Sequence, residues 1–298
     1  MAQGKLRQLE LVDRPLKLLN GRLTIRMPAG AKLEARHENI MSAAESAEEE
    51  SRVVLDAGDE RLIVMAYELL RTASKDFERQ VKKMVDTWEM GGARIEARES
   101  RGFLISPAKL DLHKTAVPVL SVVMNHEDGL VQLLGFFVNR KAGADAAGCV
   151  KLARSIAATI APGDKVLNLK GGPREIGAFT ALVPDGYALT AQPGLDFTVY
   201  RLQKVVPLGA PSSQLGVYIG DHPSYHHERE KVRFTKPKEQ LLGADVEWHV
   251  WSAKKTMHHE VVVPYPSAGG RMLHIFLSSS SAPDIAEMHA IAESLRHK

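Results

Sequence analysis

At 298 residues, with 44% hydrophobic and 25% charged side chains, the chain has room for two domains of ordinary size and a globular balance that excludes extended disorder. Its net charge is +3 and evenly spread: residues 1–163 carry 24 Lys and Arg against 22 Asp and Glu, and residues 164–298 carry 15 against 14. Without a basic stripe or a charge-skewed half, nucleic acid is not an expected partner.

A short stretch occurs twice. Leu23 to Leu33 reads Leu-Thr-Ile-Arg-Met-Pro-Ala-Gly-Ala-Lys-Leu, and Phe179 to Leu189 reads Phe-Thr-Ala-Leu-Val-Pro-Asp-Gly-Tyr-Ala-Leu. Thr24, Pro28, Gly30 and Leu33 align with Thr180, Pro184, Gly186 and Leu189 without a gap. Proline cannot donate to a ladder and glycine reaches torsions other residues resist, so each copy reads as a strand ending at a fixed corner. Leu9-Glu-Leu11 before the first copy and Leu167-Asn-Leu169 before the second extend the likeness. Two related domains are therefore expected, residues 1–163 and 164–298, with Gly163 to Pro173 as the linker.

After the first corner, the acidic run Glu48-Glu49-Glu50 reads as a solvated face. Arg52–Ala57 and Arg61–Leu70 flank Gly58-Asp59 as a hairpin. Ser74 caps an expected helix from Lys75 to Met90, whose stripe of Phe77, Val81, Met84, Val85 and Trp88 is a core face, and Gly91-Gly92 stops it. Ala93–Arg98 and Gly102–Ile105 are short strands. Val117–Met124 and Leu130–Val138, joined through Asp128-Gly129, form the strongest hairpin signal. Both of these strands are apolar on both faces, so each side needs a cover. One cover is a helix from Asp145 to Ile160, with Cys149, Leu152, Ala153, Ile156 and Ile160 on one face; Cys149 reads there as a buried small hydrophobe.

The second half repeats this plan without the long middle helix. Strands are expected at Asp196–Val206, Gln214–Ile219, Val246–Ser252, His258–Val263 and Arg271–Ser278. The polar stretch from Asp221 to Gln240 holds at most a helical turn capped by Thr235. A closing helix starts at Ser281, with Pro283 and Asp284 in its first turn and Ile285, Met288, Ala292 and Leu295 as its stripe.

Ile25-Arg-Met-Pro-Ala-Gly30 with the helix 145–160, and Leu182-Val-Pro-Asp-Gly186 with the helix 283–296, resemble the PsbP-like fold family. That family includes Mog-type Ran-binding proteins and bacterial chaperones for type VI secretion effectors. The resemblance covers both halves. It implies an α+β fold of two tandem domains, each a mainly antiparallel sheet flanked by helices, and a binding role without catalysis.

Candidate chemistry is sparse. Nine of the 12 histidines lie after residue 164. His222, His226 and His227 sit in the polar stretch, and alternation puts Glu247, His249 and Trp251 on one strand face with Trp248 and Val250 on the other. If the strands pair in order, His249, one of His258 and His259, and His274 converge with Glu247, which makes Glu247, His249, His259 and His274 the candidate metal ligands. No P-loop, Rossmann or G-x-S-x-G motif is present, so no cofactor is expected and no catalytic residue is assigned. The expected function is a protein-binding, scaffold or chaperone-like one. Val119, Met124, Leu133 and Phe137 of the apolar hairpin are its candidate contacts with a protein partner, an apolar client segment or a second copy of the chain. A metal-dependent hydrolase using the second-half histidines, and a partner-specific inhibitor or complex subunit, are the alternatives. The N-terminus lacks the apolar core of a signal peptide and no apolar run is long enough to span a bilayer, so a cytoplasmic protein without membrane insertion is expected.

Overall fold

A computed structural model describes residues 6–35, 49–58, 60–73, 75–87, 93–97, 102–106, 117–125, 129–140, 146–264 and 271–298. The chain divides into two compact units, residues 1–167 with 207–209, and residues 168–206 with 210–298. The division thus falls four residues later than the expected one. No helix among the described residues is long and apolar enough to cross a membrane.

The first unit is built on strands β1 (Leu16–Leu18), β2 (Leu23–Ile25), β3 (Lys32–Ala35), β4 (Glu49–Ala57), β5 (Glu60–Thr72), β6 (Arg94–Ala97), β7 (Gly102–Ser106), β8 (Val117–Asn125), β9 (Leu130–Arg140) and β10 (Ala161–Pro162). Helix α1 spans Phe77–Thr87 and α2 spans Ala146–Ala157. The main sheet runs β3-β4-β5-β9-β8-β7-β6, antiparallel between each pair of neighbours. A small sheet, β1-β2-β10, carries the first Pro-x-Gly stretch. At the corner Gly30 stands at φ +87°, a conformation in which a Cβ is strained, and the Ala31 N–H closes the turn onto the Pro28 carbonyl at 3.3 Å.

The strands of the β8–β9 hairpin are buried on both sides, as their unbroken apolar pattern requires. On one side Val122, Leu134, Phe136, Leu62 and Val64 meet Leu152, Ala153 and Ile156 of α2, together with Leu18, Leu23 and Ile25 of the small sheet. On the other, Val123, Val131, Leu133 and Tyr67 meet Val81 and Val85 of α1, and Leu208. Each fully buried side chain of this kind contributes about 1.5–3 kcal/mol.

The second unit contains β11 (Gly172–Ile176), β12 (Phe179–Val183), β13 (Tyr187–Pro193), β14 (Phe197–Lys204), the Val206 half of β15 (Val206–Pro207), whose Pro207 belongs to the first unit, then β16 (Ser213–Gly220), α3 (His226–Glu230), β17 (Lys238–Leu241), β18 (Ala244–Glu247), β19 (His249–Ala253), β20 (Thr256–Pro264), β21 (Met272–Ser279), α4 (Ala282–Glu293) and β22 (Arg296–His297). Its main sheet runs β13-β14-β16-β21-β20-β19, and a small sheet, β11-β12-β22, carries the second Pro-x-Gly stretch. Gly186 at that corner stands at φ +85°. In both units the strand after the corner forms one edge of the main sheet, and the strand after the closing helix joins the small sheet. The core packs Ile285, Met288 and Ile291 of α4 against Leu215, Val217, Ile275 and Leu277, with Trp248 fully buried beside them.

Several expectations are corrected. Among the described residues the fold is predominantly β, with 53% strand and 18% helix, and is not an arrangement of helix-flanked α+β domains. Among the described residues the helical stripes do form, over 11 residues in α1 and 12 each in α2 and α4. Much of the cover over the main sheets comes instead from strand and 3-10 segments, such as Leu6, Leu18 and Leu19 in the first unit and Leu241 and Val246 in the second. The expected linker is partly ordered as β11, which pairs with β12 from Gly172 onward. The turn expected after Thr235 is a hairpin. Leu242 and Gly243 both take positive φ, 52° and 78°, and join β17 to β18 in the manner of a primed turn. Thr235 pairs with Val250 instead, and the helical turn lies upstream as α3. The proposed caps Ser74 and Asp145, the stop Gly91-Gly92, Trp88 and Asp128 fall outside the described residues. So do the side chains of Glu48, Glu49 and Glu50.

At the start of α4, Ser281 accepts the Asp284 N–H at 3.4 Å, and Asp284 in turn receives Lys204 Nζ at 2.9 Å and the Ser213 hydroxyl at 2.7 Å. Burial alone would raise the Asp284 carboxyl, but Lys204 and Ser213 outweigh it and hold it below the usual carboxylate range. A carboxylate depressed in the folded state stabilises above its unfolded pKa and loses that contribution as pH falls through the folded value. Asp284→Asn is therefore expected to lower second-unit stability at neutral pH by about 1.5–3 kcal/mol, the range for a hydrogen bond to a charged group. The difference from wild type should shrink as pH falls below about 4, the unfolded aspartate pKa. Urea unfolding at a series of pH values checks this, and a pH-independent difference would refute it.

Candidate functional site

Strand alternation within the second sheet separates two faces. Leu273, Ile275 and Leu277 of β21 and Val261 of β20 point into the core, while His274 and Glu260 lie on the opposite face. The fully buried carboxylate of Glu260 is the centre of what gathers there. Its Oε2 lies 2.9 Å from His274 Nε2 and accepts the His226 backbone N–H at 2.9 Å. Its Oε1 accepts the His227 backbone N–H at 2.9 Å and lies 2.5 Å from His227 Nδ1.

Helix α3 makes this possible. Its first residues, His226 and His227, present two backbone N–H groups that have no partner within the helix, and the carboxylate takes both. The ring of His226 then lies edge-on to Phe276, at 4.8 Å between centroids. Burial would raise the Glu260 carboxyl, but His274, the two backbone N–H groups and the His227 ring outweigh it and hold it down to about 2.

His249 enters from β19. Register sets it opposite Glu260, and its Nδ1 lies 3.2 Å from His227 Nδ1. Burial first, and then the neighbouring His227 and Lys236, push the His249 imidazole below its ordinary pKa. Tyr225 and Phe234 pack around the two rings, at 5.0 and 4.3 Å from His227 and 5.2 and 4.6 Å from His249. One ligand-capable atom from each of His227, His249 and Glu260 lies within 4.8 Å of the others.

Of the residues expected to converge, His249 and His274 reach this centre on different sides of the carboxylate. Glu247 does not: it belongs to the β17–β18 hairpin, exposed near Lys236 and Lys238. His259 points to the core face, where its Nδ1 lies 2.8 Å from His289 Nε2. His227 and Glu260 are the members that counting histidines on strands overlooked. A carboxylate directly before the apolar run Val261-Val262-Val263 was the available signal, because a charge on such a strand requires partners.

The apolar candidates of the first unit are placed as plainly. Val119 and Met124 lie in the core against α2, Leu133 lies in the core against α1, and Phe137 is half-buried beside it. These side chains are engaged in the unit's own packing.

No protein-family model and no curated protein matches the chain. Among solved structures it is similar to MucB in complex with the periplasmic part of MucA, at 14% identity over 99% of this chain and 95% of that one. It is also similar to a chain of the Pseudomonas aeruginosa MucA/MucB complex, at 12% identity over 92% and 89%. The TM-score is 0.21 in both cases, too low to establish a shared fold.

Proposed function

We propose that this chain is a non-catalytic binding protein that receives a segment of a protein partner on the outer face of the second sheet. The observation that carries this reading is a strip of half-buried aromatic side chains lying on glycines. The Phe276 ring rests over Gly216, where an added Cβ would stand 1.9 Å from it. Phe197 and Tyr218 stack at 5.4 Å across Gly220, where a Cβ would stand 2.5 Å from both residues. Aromatic rings held flat on a rigid sheet offer a partner large contact area at little further loss of conformational freedom. In the first unit, by contrast, the corresponding apolar strands are buried on both faces.

A metal-dependent hydrolase is the reading this displaces. Such an enzyme needs an acid or base beside its metal to handle the proton of the attacking water. Glu260 is saturated by four donors, Glu230 accepts the Trp251 indole N–H at 3.0 Å, and Glu247 stands by its lysines.

Photocrosslinking in the native host tests the binding reading. A benzophenone amino acid at Tyr218 should capture one discrete protein, and Phe197→Ala in the same chain should reduce that product at least about tenfold, as expected for truncating an aromatic contact. The same probe at exposed Lys255 serves as the reference. Equal capture from both positions, or a yield indifferent to Phe197, would overturn it.

A further inference from the structure

We propose that His227, His249 and Glu260 form a binding site for a divalent cation of the zinc class. This stands apart from the protein-binding reading and survives its failure.

The donor set is the first reason. Two imidazole nitrogens and one carboxylate oxygen suit zinc and its neighbours in the first transition row, whereas calcium and magnesium take oxygen ligands. Geometry is the second. Four-coordinate zinc with bonds of about 2.0–2.1 Å sets its ligand atoms about 3.3 Å apart. His227 Nδ1 and His249 Nδ1 are 3.2 Å apart, and Glu260 Oε1 is 2.5 Å from His227 Nδ1. The two histidine atoms already have the required spacing, the carboxylate oxygen would draw back from His227 by under an ångström, and the three ligand atoms lie within 4.8 Å of one another.

The contents of the site are the third. A carboxylate oxygen has no hydrogen to give, so the 2.5 Å contact places a proton on His227 Nδ1. His249 Nδ1 lies 3.2 Å from the same nitrogen. Metal binding to an imidazole displaces its proton, and a cation at His227 Nδ1 would have His249 Nδ1 and Glu260 Oε1 as its nearest further ligands.

The surroundings complete the argument. Metal-bound carboxylates are oriented by outer hydrogen bonds. Glu260 has them in His274 Nε2 and the N–H groups of His226 and His227, each 2.9 Å away. The two ligand rings are set at 86° to each other and are flanked by Tyr225 and Phe234. The protein supplies three ligands, which leaves a fourth position to water or an exogenous group.

The test uses the full chain, stripped with EDTA and dialysed. Zinc chloride titrated calorimetrically should bind at one equivalent, and cobalt(II) should give the strong visible bands of a four-coordinate ion. His249→Ala should weaken zinc at least about tenfold, by analogy with losses seen even for outer-shell groups, and should abolish the cobalt bands. His249 is chosen because it is only half-buried and its removal leaves the clamp on Glu260 intact. His222→Ala, at an exposed histidine, should change neither readout. Should His249→Ala fail to fold, the cobalt spectrum of the wild-type chain decides alone. Zinc affinity unchanged in His249→Ala, or only six-coordinate cobalt bands in the wild type, would overturn the site.

Discussion

Glu260→Ala, measured in EDTA, is expected to destabilise the second unit by about 3–5 kcal/mol, the range for removing one partner from a buried charged network. The carboxylate is fully buried and accepts from two imidazoles and two backbone N–H groups. Without it those donors face an interior that cannot replace the acceptor, and each buried orphan costs about 1–3 kcal/mol. The cavity left by the side chain adds to the loss. Glu260→Gln keeps the volume but offers one acceptor oxygen, and its amide nitrogen meets donors, so an intermediate loss is expected. Trp248 and Trp251 both lie in this unit, and with Trp88 of the first unit replaced by Phe they should report its urea unfolding through fluorescence. A wild-type midpoint in Glu260→Ala would mean that the clamp contributes nothing.

Arg22→Leu is expected to have an effect of similar size, about 3–5 kcal/mol, in the first unit. Glu68 on β5 is fully buried, with the nearly buried Arg22 guanidinium against it and the Gln132 amide donating at 3.3 Å. A charge so far from water is tolerated because its counter-charge is beside it. Leucine at position 22 removes the counter-charge and leaves the carboxylate. The double variant Arg22→Leu/Glu68→Leu removes both charges and should be more stable than Arg22→Leu alone, since apolar replacement of a whole buried pair is often neutral. Hydrogen exchange of peptides from residues 49–72 and 117–140 reads this unit separately from the second. A double variant no more stable than the single one would show that the pair's geometry, not its charge balance, matters.

Much of the strand layout was legible. The unbroken apolar pattern of Val117–Met124 and Leu130–Val138 marked a hairpin covered on both faces, and β8 and β9 have that cover. Apolar residues at helical spacing marked the helices now seen as α1, α2 and α4, and Cys149 is buried in the stripe where it was placed. Alternation around Trp248 was also correct: Trp248 and Val250 face the core, while His249 and Trp251 face away. The overall class was misread because helical stripes are conspicuous in a sequence, whereas short covering strands such as β1, β10 and β22 leave two or three residues of pattern each. The β17–β18 hairpin was missed for a related reason. Leu242-Gly243 is a poor primed-turn signal beside Asn-Gly, and Pro237 with Thr235 suggested a helix start.

The site divides along the same line. By itself, the sequence determined that histidines concentrate in the second half and that His249 and Trp251 share a strand face, because both follow from composition and a period of two. Only the tertiary structure decided which carboxylate they meet. Glu260 is 33 residues from His227 along the chain. The two come together because β20 pairs with β21 and β19 while α3 folds its first N–H groups over that face, a pairing that long-range packing selects and local pattern does not record.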